Sequence, residues 1–237
     1  VKTAALYLCG RVVVAKSHLE AYQQLNEEEK QAQMVSGFYD PDTGEFCADI
    51  YRDHFYQKKI LLIRHGQAEK DKLNPSLTAQ GISETQEVTK CLGRFDLADY
   101  TCYVSPLKRC LETARIIAES SQLTFEVNPQ IMETPTFLEE GESFELESRK
   151  HEFPEFEWPE DAGWTVAYEE QERFLDRVAS VLQKLPEHSI LVSHFGVVTN
   201  MAKLALCGEK CREKGVPTAS LTFIDNQEVK CFGKVIE

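Results

Sequence analysis

The chain has 237 residues, 42% of them hydrophobic, which suits one large domain or one domain with a small appendage. Its formal net charge of −13 and its lack of a lysine and arginine stripe argue against a nucleic-acid partner, so an anionic substrate must be drawn by a local basic pocket. No apolar run approaches the roughly 18 residues that cross a bilayer, so no membrane association is expected. The eight scattered cysteines, without a Cys-x-x-Cys pair, read as reduced thiols of a cytoplasmic protein with no disulfide framework and no zinc site.

Residues 1–57 read as a small β–α extension packed against the main domain. Segments 4–8 and 12–15 flank Cys9-Gly10-Arg11 and predict a hairpin. Ser17-His18-Leu19-Glu20 has capping-box spacing and predicts a helix start, and Asn26-Glu27-Glu28-Glu29 repeats the pattern after a break. Asp40-Pro41-Asp42-Thr43-Gly44 predicts a turn between Phe38-Tyr39 and Phe46. His18 and His54 read as structural, and nothing in this stretch forms a catalytic constellation. The extension could equally serve as a contact between two copies, which leaves a homodimer open.

From Lys58 to the end at 237 the chain alternates strands and helices, the pattern of a parallel sheet covered on both faces. The unbroken apolar run Ile60-Leu61-Leu62-Ile63 predicts a central strand, and Arg64-His65-Gly66 lies just past its carboxyl end. Thr78 is the expected N-cap of the next helix, with Ile82, Val88 and Leu92 available for burial. A short strand over 101–104 leads into Ser105-Pro106, read as N-cap and first helical residue of a helix that carries Arg109. A strand at 123–127 follows.

Residues 133–164 read as irregular. Ten acidic residues fall between positions 139 and 161, the mark of a solvated loop, yet Phe137, Phe144, Phe153, Phe156, Trp158 and Trp164 argue against disorder. A cap beside the active site is the sharper alternative, and such a cap would disfavour strongly polyanionic substrates. A helix over 168–185, a strand over 189–193 ending at His194-Phe195-Gly196, a helix over 197–206, and strands at 219–224 and 229–232 complete the chain.

Two strand ends thus present His65 and His194, and Arg109 opens a helix after a third strand. Such ends can converge on one crevice, where the helix N-terminus adds free N–H groups suited to phosphate. Two arginines and two histidines without a metal motif point to phosphoryl transfer through nitrogen. His65, neutral at attack, would become phosphohistidine, and neighbouring arginine charge would keep it unprotonated. Arg64, Arg109 and a protonated His194 would hold the phosphoryl oxygens, while a carboxylic acid would protonate the leaving oxygen and then activate water.

Arg64-His65-Gly66, Leu77-Thr78-x-x-Gly81, Ser105-Pro106-x-x-Arg109-x-x-x-Thr113-Ala114 and Ser193-His194-x-Gly196, in that order, resemble the histidine phosphatase superfamily, the phosphoglycerate mutase-like group. The resemblance covers about residues 58–232. It implies a three-layer α/β/α sandwich with a mostly parallel sheet, phosphorylation of His65, and phosphate binding by Arg64, Arg109 and His194. Family members commonly carry a carboxylate after the strand that follows the Arg109 helix, which points to Glu133. The usual Gly-x-x-Glu-Gly continuation is absent, and Glu139, Glu140 and Glu142 lie nearby. Phe195 departs from the small residue more often found after this histidine.

Gln67, assigned to substrate binding, stands where mutases usually carry Glu. The loop 67–76 is short and charged and lacks the Asn and Gly groups of the mutase and fructose-bisphosphatase branches. The pattern therefore looks like the phosphatase branches, acting on a phosphorylated small molecule or phosphoprotein without cofactor or metal. Mutase-type transfer is the alternative, and a degenerate protein-binding member is the non-enzyme one. A cysteine phosphatase is rejected because Cys102 and Arg109 have six residues between them, one too many. A Gly-x-Ser-x-Gly elbow is absent. A metal hydrolase built on His65 and His194 would need carboxylate ligands at matching strand ends, and none is visible.

Overall fold

The structure, a computed structural model, describes residues 3–8, 11–16, 18–31, 34–42, 44–48, 57–70, 74–133, 138–160, 163–204, 215–226 and 228–235. Strands β1 (Thr3–Leu8) and β2 (Arg11–Val14) pair as the expected hairpin. With β3 (Met34–Asp40) and β4 (Glu45–Ala48) they make an antiparallel sheet of order β2-β1-β3-β4. The turn after Asp40 closes through Gly44 at φ +74°, a left-handed conformation that glycine adopts without strain. Helices α1 (His18–Gln23) and α2 (Glu27–Gln31) follow the capping signals. Asn26 and Glu29 form a reciprocal box, each side chain accepting the other's backbone N–H at 2.9 Å. Val13, Ala21 and Leu25 form a small core of their own. Ser17 and His54 lie outside the described residues.

The run 60–63 forms the inside of β5 (Lys59–Arg64), and its period-2 pleat divides the four buried side chains between two cores. Leu61 and Ile63 face one core with Val88, Leu92, Leu111, Ile117 and Phe125. Ile60 and Leu62 face the other with Val178, Leu182, Val197, Val198 and Met201. The first core is closed by α3 (Ala79–Leu92) and α4 (Lys108–Ser121), the second by α5 (Gln171–Lys184) and α6 (Phe195–Leu204). That arrangement is the three-layer sandwich. Each fully buried aliphatic side chain contributes about 1.5–3 kcal/mol relative to exposure, so a polar substitution in 60–63 would cost the layer that its side chain faces.

The other strands of this sheet are β6 (Thr101–Val104), β7 (Phe125–Val127), β10 (His188–Ser193), β11 (Leu221–Asp225) and β12 (Glu228–Lys234), in the order β12-β11-β5-β10-β6-β7. Strands β5, β10, β6 and β7 run parallel, and β11 and β12 close one edge antiparallel. The chain crosses from β5 over β10's place to β6 and β7 with its helices on one face. It then returns to β10 with α5 on the other, as right-handed crossovers require. The reversal opens a crevice at the carboxyl ends of β5, β10 and β6.

Four expectations shift. Ile82 is 42% exposed, because the buried stripe of α3 is Gly81, Thr85, Val88, Thr89 and Leu92, about 100° around the helix from it. Helix α4 begins at Lys108, not Pro106. Ser105 is fully buried, and its hydroxyl meets His194 and accepts the Leu107 N–H at 3.4 Å, while the Lys108 N–H is capped by Asn74 Oδ1 at 2.7 Å. Helix α5 begins at Gln171, with Tyr168 outside it. Segment 133–164 supplies β8 (Ser143–Glu147), which pairs antiparallel with β9 (Gly163–Ala167). Phe153 and Phe156 enter the core beside Phe125, and Arg115 lies over the Phe153 ring at 4.0 Å.

Cys91, Cys102, Cys110 and Cys231 are free thiols, the middle two buried. Among the described residues no helix is long and apolar enough to cross a membrane.

Candidate active site

The backbone continues to pair past the end of β5, which fixes the triplet. Arg64 N–H donates to the Ser220 carbonyl, His65 N–H to the Ser193 carbonyl, and the His65 carbonyl accepts from Ala219. Gly66 then passes under α3 so closely that a Cβ there would lie 2.4 Å from the Gly81 carbonyl oxygen. A Cβ on Gly81 would in turn lie 2.0 Å from the Gln67 oxygen. The Arg-His-Gly and Leu-Thr-x-x-Gly blocks are thus two sides of one contact. The Gly66 N–H is held by Thr113 Oγ1 at 3.1 Å, and Thr113 donates to the Arg109 carbonyl at 2.8 Å.

His65 Nδ1–H donates to the Gly66 carbonyl at 2.7 Å, leaving the lone pair on Nε2. Arg109 Nε donates to that Nε2 at 3.1 Å, and Arg109 Nη2 donates to His194 Nδ1 at 3.1 Å. One guanidinium therefore bridges both imidazoles, whose centroids are 5.2 Å apart. An acceptor at Nδ1 puts the His194 proton on Nε2, which donates to Ser105 Oγ at 2.8 Å. Burial, then Arg109 and Arg64, push the His65 pKa down to about 3, against the Gly66 bond that raises it. His194 is lowered well below its ordinary value by complete burial first, and then by Arg109, His65, Arg64 and Arg177. Both rings are neutral at neutral pH. That corrects the expected protonated His194: a cation buried completely among three guanidiniums is disfavoured.

Arg64 Nη1 donates to the Val216 carbonyl, and its buried Nε has no hydrogen-bond partner among the described residues. Its guanidinium lies 5.3 Å from the centroid of Phe195, whose ring is 45% exposed. Under His194 sits Cys110, Sγ 3.3 Å from Nε2, its thiol pushed up to about 12 by burial and so protonated.

Glu133 reaches the same site. Its Oε2 accepts the Gly196 N–H at 2.9 Å, at the N-terminus of α6, and its charge acts on both Arg64 and Arg109. A Cβ on Gly196 would lie 2.3 Å from Glu133 Oε1, so the glycine of the Ser-His-x-Gly block leaves room for this carboxylate. Glu139, Glu140 and Glu142 are exposed in the turn before β8. Gln67 is tied to α3: its side-chain oxygen accepts from the Thr78 hydroxyl at 2.8 Å, and its N–H donates to Glu84 at 3.1 Å.

Sequence reasoning missed the support of the acid. Arg177 on α5 forms a forked pair with Glu169, at 3.0 and 2.5 Å, and donates to the carbonyls of Gln130 and Met132 at 2.6 and 3.1 Å. Ser193 Oγ holds the Ile131 carbonyl at 2.8 Å. The hairpin of β8 and β9 stands next to this segment, with Leu146 and Val166 packed on Leu107 and Met132. Between Met132-Glu133, β9 and the start of α5 runs a groove of ≈ 480 Å³. The set offers a neutral imidazole nucleophile, two guanidiniums for an anion and a carboxyl beside them.

Comparison with known proteins agrees with this geometry. A family model described as the histidine phosphatase superfamily (branch 1) matches residues 60–232. A 2,3-bisphosphoglycerate-dependent phosphoglycerate mutase of Parvibaculum lavamentivorans is 37% identical over 67 residues, which take in 25% of this chain. The chain spans about a third of that curated relative, 32% of its length. The structure of the Mycobacterium tuberculosis open reading frame Rv3214 superposes with a TM-score of 0.52 at 20% identity, over 76% of this chain and 99% of that one. A mycobacterial glucosyl-3-phosphoglycerate phosphatase in complex with inorganic phosphate gives 0.51 at 18% identity, over 76% and 98%. At these identities the two structures establish the shared fold.

Proposed function

The chain belongs to the histidine phosphatase superfamily, and on that premise we propose that it is a phosphatase hydrolysing a phosphate monoester through a phosphohistidine at His65. The observation that carries the reading is the fixed tautomer of His65. With Nδ1–H on the Gly66 carbonyl and burial keeping the ring neutral, Nε2 holds its lone pair at neutral pH, next to Arg109.

In the first step the Nε2 lone pair forms a bond to phosphorus while the ester P–O bond breaks. The leaving oxygen takes the proton of the Glu133 carboxyl. Arg109 and Arg64 carry the phosphoryl oxygens with forked, charge-assisted hydrogen bonds, the Arg109 N–H groups turning from the imidazole nitrogens to the oxygens. The incoming negative charge offsets the surrounding guanidiniums and favours a proton on His194. In the second step Glu133 takes a proton from water, the water oxygen bonds to phosphorus, and the P–N bond electrons return to Nε2. No step calls for a metal or cofactor. The substrate is a phosphorylated small molecule or phosphoprotein, and the buried thiols suit a reducing, cytoplasmic setting.

The mutase reading draws support from the 67-residue match to a mutase. One assay separates the readings: phosphate release from 4-nitrophenyl phosphate in excess chelator, with 3-phosphoglycerate offered in parallel. Activity that survives the chelator and vanishes in His65→Ala is expected. Undiminished activity in the variant would overturn the covalent route. Transfer between positions of phosphoglycerate with little free phosphate would favour the mutase, and inactivity on both would favour the degenerate member.

A further inference from the structure

We propose that the groove beside Glu133 is the leaving-group subsite, and that it takes a small aromatic alcohol carrying an anionic substituent. The inference rests on the phosphatase reading and deepens it. A general acid must stand within hydrogen-bond reach of the oxygen it protonates, about 2.6–3.2 Å. The ester oxygen therefore leaves against Glu133, and Glu133 is part of the groove's wall. That wall offers a place for the carbon frame attached to that oxygen.

The walls are selective in shape. Met132, Val166 and Trp164 supply apolar surface, and Tyr168, 40% exposed, also lines the groove. Trp164 is stacked on Trp158 at 6.1 Å and 17°, which holds the indole as a fixed plane. A volume of ≈ 480 Å³ lies within the usual range for small-molecule sites. Fixed aromatic faces favour a flat ring, by burial and by offset or edge-to-face contact.

Charge supplies the second half. Apart from Glu133, the groove's charged side chains are Glu169, Arg177 and Arg173. Glu169 and Arg177 neutralise each other in the forked pair. Arg173, one turn before Arg177 on α5, is exposed and makes no ion pair among the described residues. The lining is left with one guanidinium outside any ion pair among the described residues, suited to a carboxylate on the ring that carries the phosphate. In a chain of net charge −13, a single local cation favours one such anion over a polyanion.

The test uses the full chain with phenyl phosphate, 4-carboxyphenyl phosphate and glycerol 3-phosphate, reading kcat/KM by phosphate release at low and high salt. Arg173→Glu should lower the ratio of 4-carboxyphenyl to phenyl phosphate about five- to tenfold at low salt, less at high salt, as exposed charge pairs do. Tyr168→Ala should lower the ratio of phenyl phosphate to glycerol 3-phosphate about threefold to tenfold. Both positions are exposed, so the variants should keep the wild-type thermal midpoint. If the enzyme turns over all three esters but Arg173→Glu leaves its ratio unchanged, the subsite assignment falls and the phosphatase reading stands. If the wild type releases phosphate from none of the esters, the phosphatase reading falls and takes the subsite with it.

Discussion

Replacing Gly196 with alanine isolates the placement of the acid from the rest of the site. The new Cβ would lie 2.3 Å from Glu133 Oε1 and 3.1 Å from its carboxyl carbon. Relief requires the carboxylate to move about 1 Å, which also takes Oε2 off the Gly196 N–H. The moving group is the end of a flexible side chain, so the fold can absorb it. Alanine in a helix gains about 1 kcal/mol over glycine, against about 1.5–3 kcal/mol for the charge-assisted hydrogen bond, which water can partly replace. Stability should change by no more than about 1–2 kcal/mol. Activity should change more: a misplacement of about 1 Å can cost about 10²-fold, or 2.7 kcal/mol of transition-state stabilisation. The loss should fall on an alkyl phosphate, whose alkoxide needs the proton, and largely spare 4-nitrophenyl phosphate, whose phenolate leaves without one. Steady-state phosphate release on both esters, with a denaturant titration for stability, reads the split. Glu133→Gln should give the same split and add little to Gly196→Ala, since both remove one function. Equal losses on the two esters, or multiplying losses in the double variant, would refute the reasoning.

The neutral histidines give a pH signature in folding. A ring whose pKa is about 3 folded and 6.5 unfolded binds more protons in the unfolded chain between those values, so stability is complete above pH 6.5 and declines as pH falls toward 3. His65→Asn should reduce that dependence by about 1.4 kcal/mol per pH unit between pH 4.5 and 6, measured by denaturant titration in phosphate-free buffer; an unchanged slope would show that the buried ring is charged. Arg177→Met should lower kcat on alkyl phosphates by freeing the segment that carries Glu133, and lower stability by about 1–3 kcal/mol by removing the forked pair with Glu169 and the bonds to the Gln130 and Met132 carbonyls. Arg177→Met with Glu169→Met should recover stability and not kcat, and recovery of both would reduce the arginine to a structural role.

The layers were legible because they follow from patterns read locally. Four apolar residues in a row at 60–63 do go to a strand buried on both faces. The Asn26 and Glu29 spacing does close a reciprocal cap. What misled is equally physical. Thr85 and Thr89 were invisible as burial candidates, yet each satisfies its hydroxyl on the carbonyl four residues back and so can be buried without an unmet donor, which turns Ile82 outward. The acidic run at 139–147 read as a solvated loop because its charges dominate the composition. Glu139, Glu140 and Glu142 do lie in an exposed turn, but the pleat of β8 puts Leu146 inward and Glu145 and Glu147 outward, so the last two acids are one face of a strand.

The candidate catalytic set divides along the same line. His65 and His194 end adjacent parallel strands, and Arg109 begins the helix after the next strand in the sheet. Their convergence follows from topology, and topology follows from the strand–helix alternation. Glu133 stands on a loop, and its position depends on partners far along the chain: Arg177 and Ser193 on the carbonyls before it, and Gly196 beneath its carboxylate. None of these has a periodic signal, and Arg177 reads as an ordinary polar residue of an amphipathic helix. The glycines record the tertiary contacts more faithfully than the charges do. Gly66 and Gly81 exist as a pair because two backbones touch there, and Gly196 has room only for the carboxylate it faces. A glycine two residues past a strand-end histidine, at the start of a helix that would be stabler with alanine, therefore implies a group packed on it. Among the acids weighed for the role, Glu133 is the one the structure puts there.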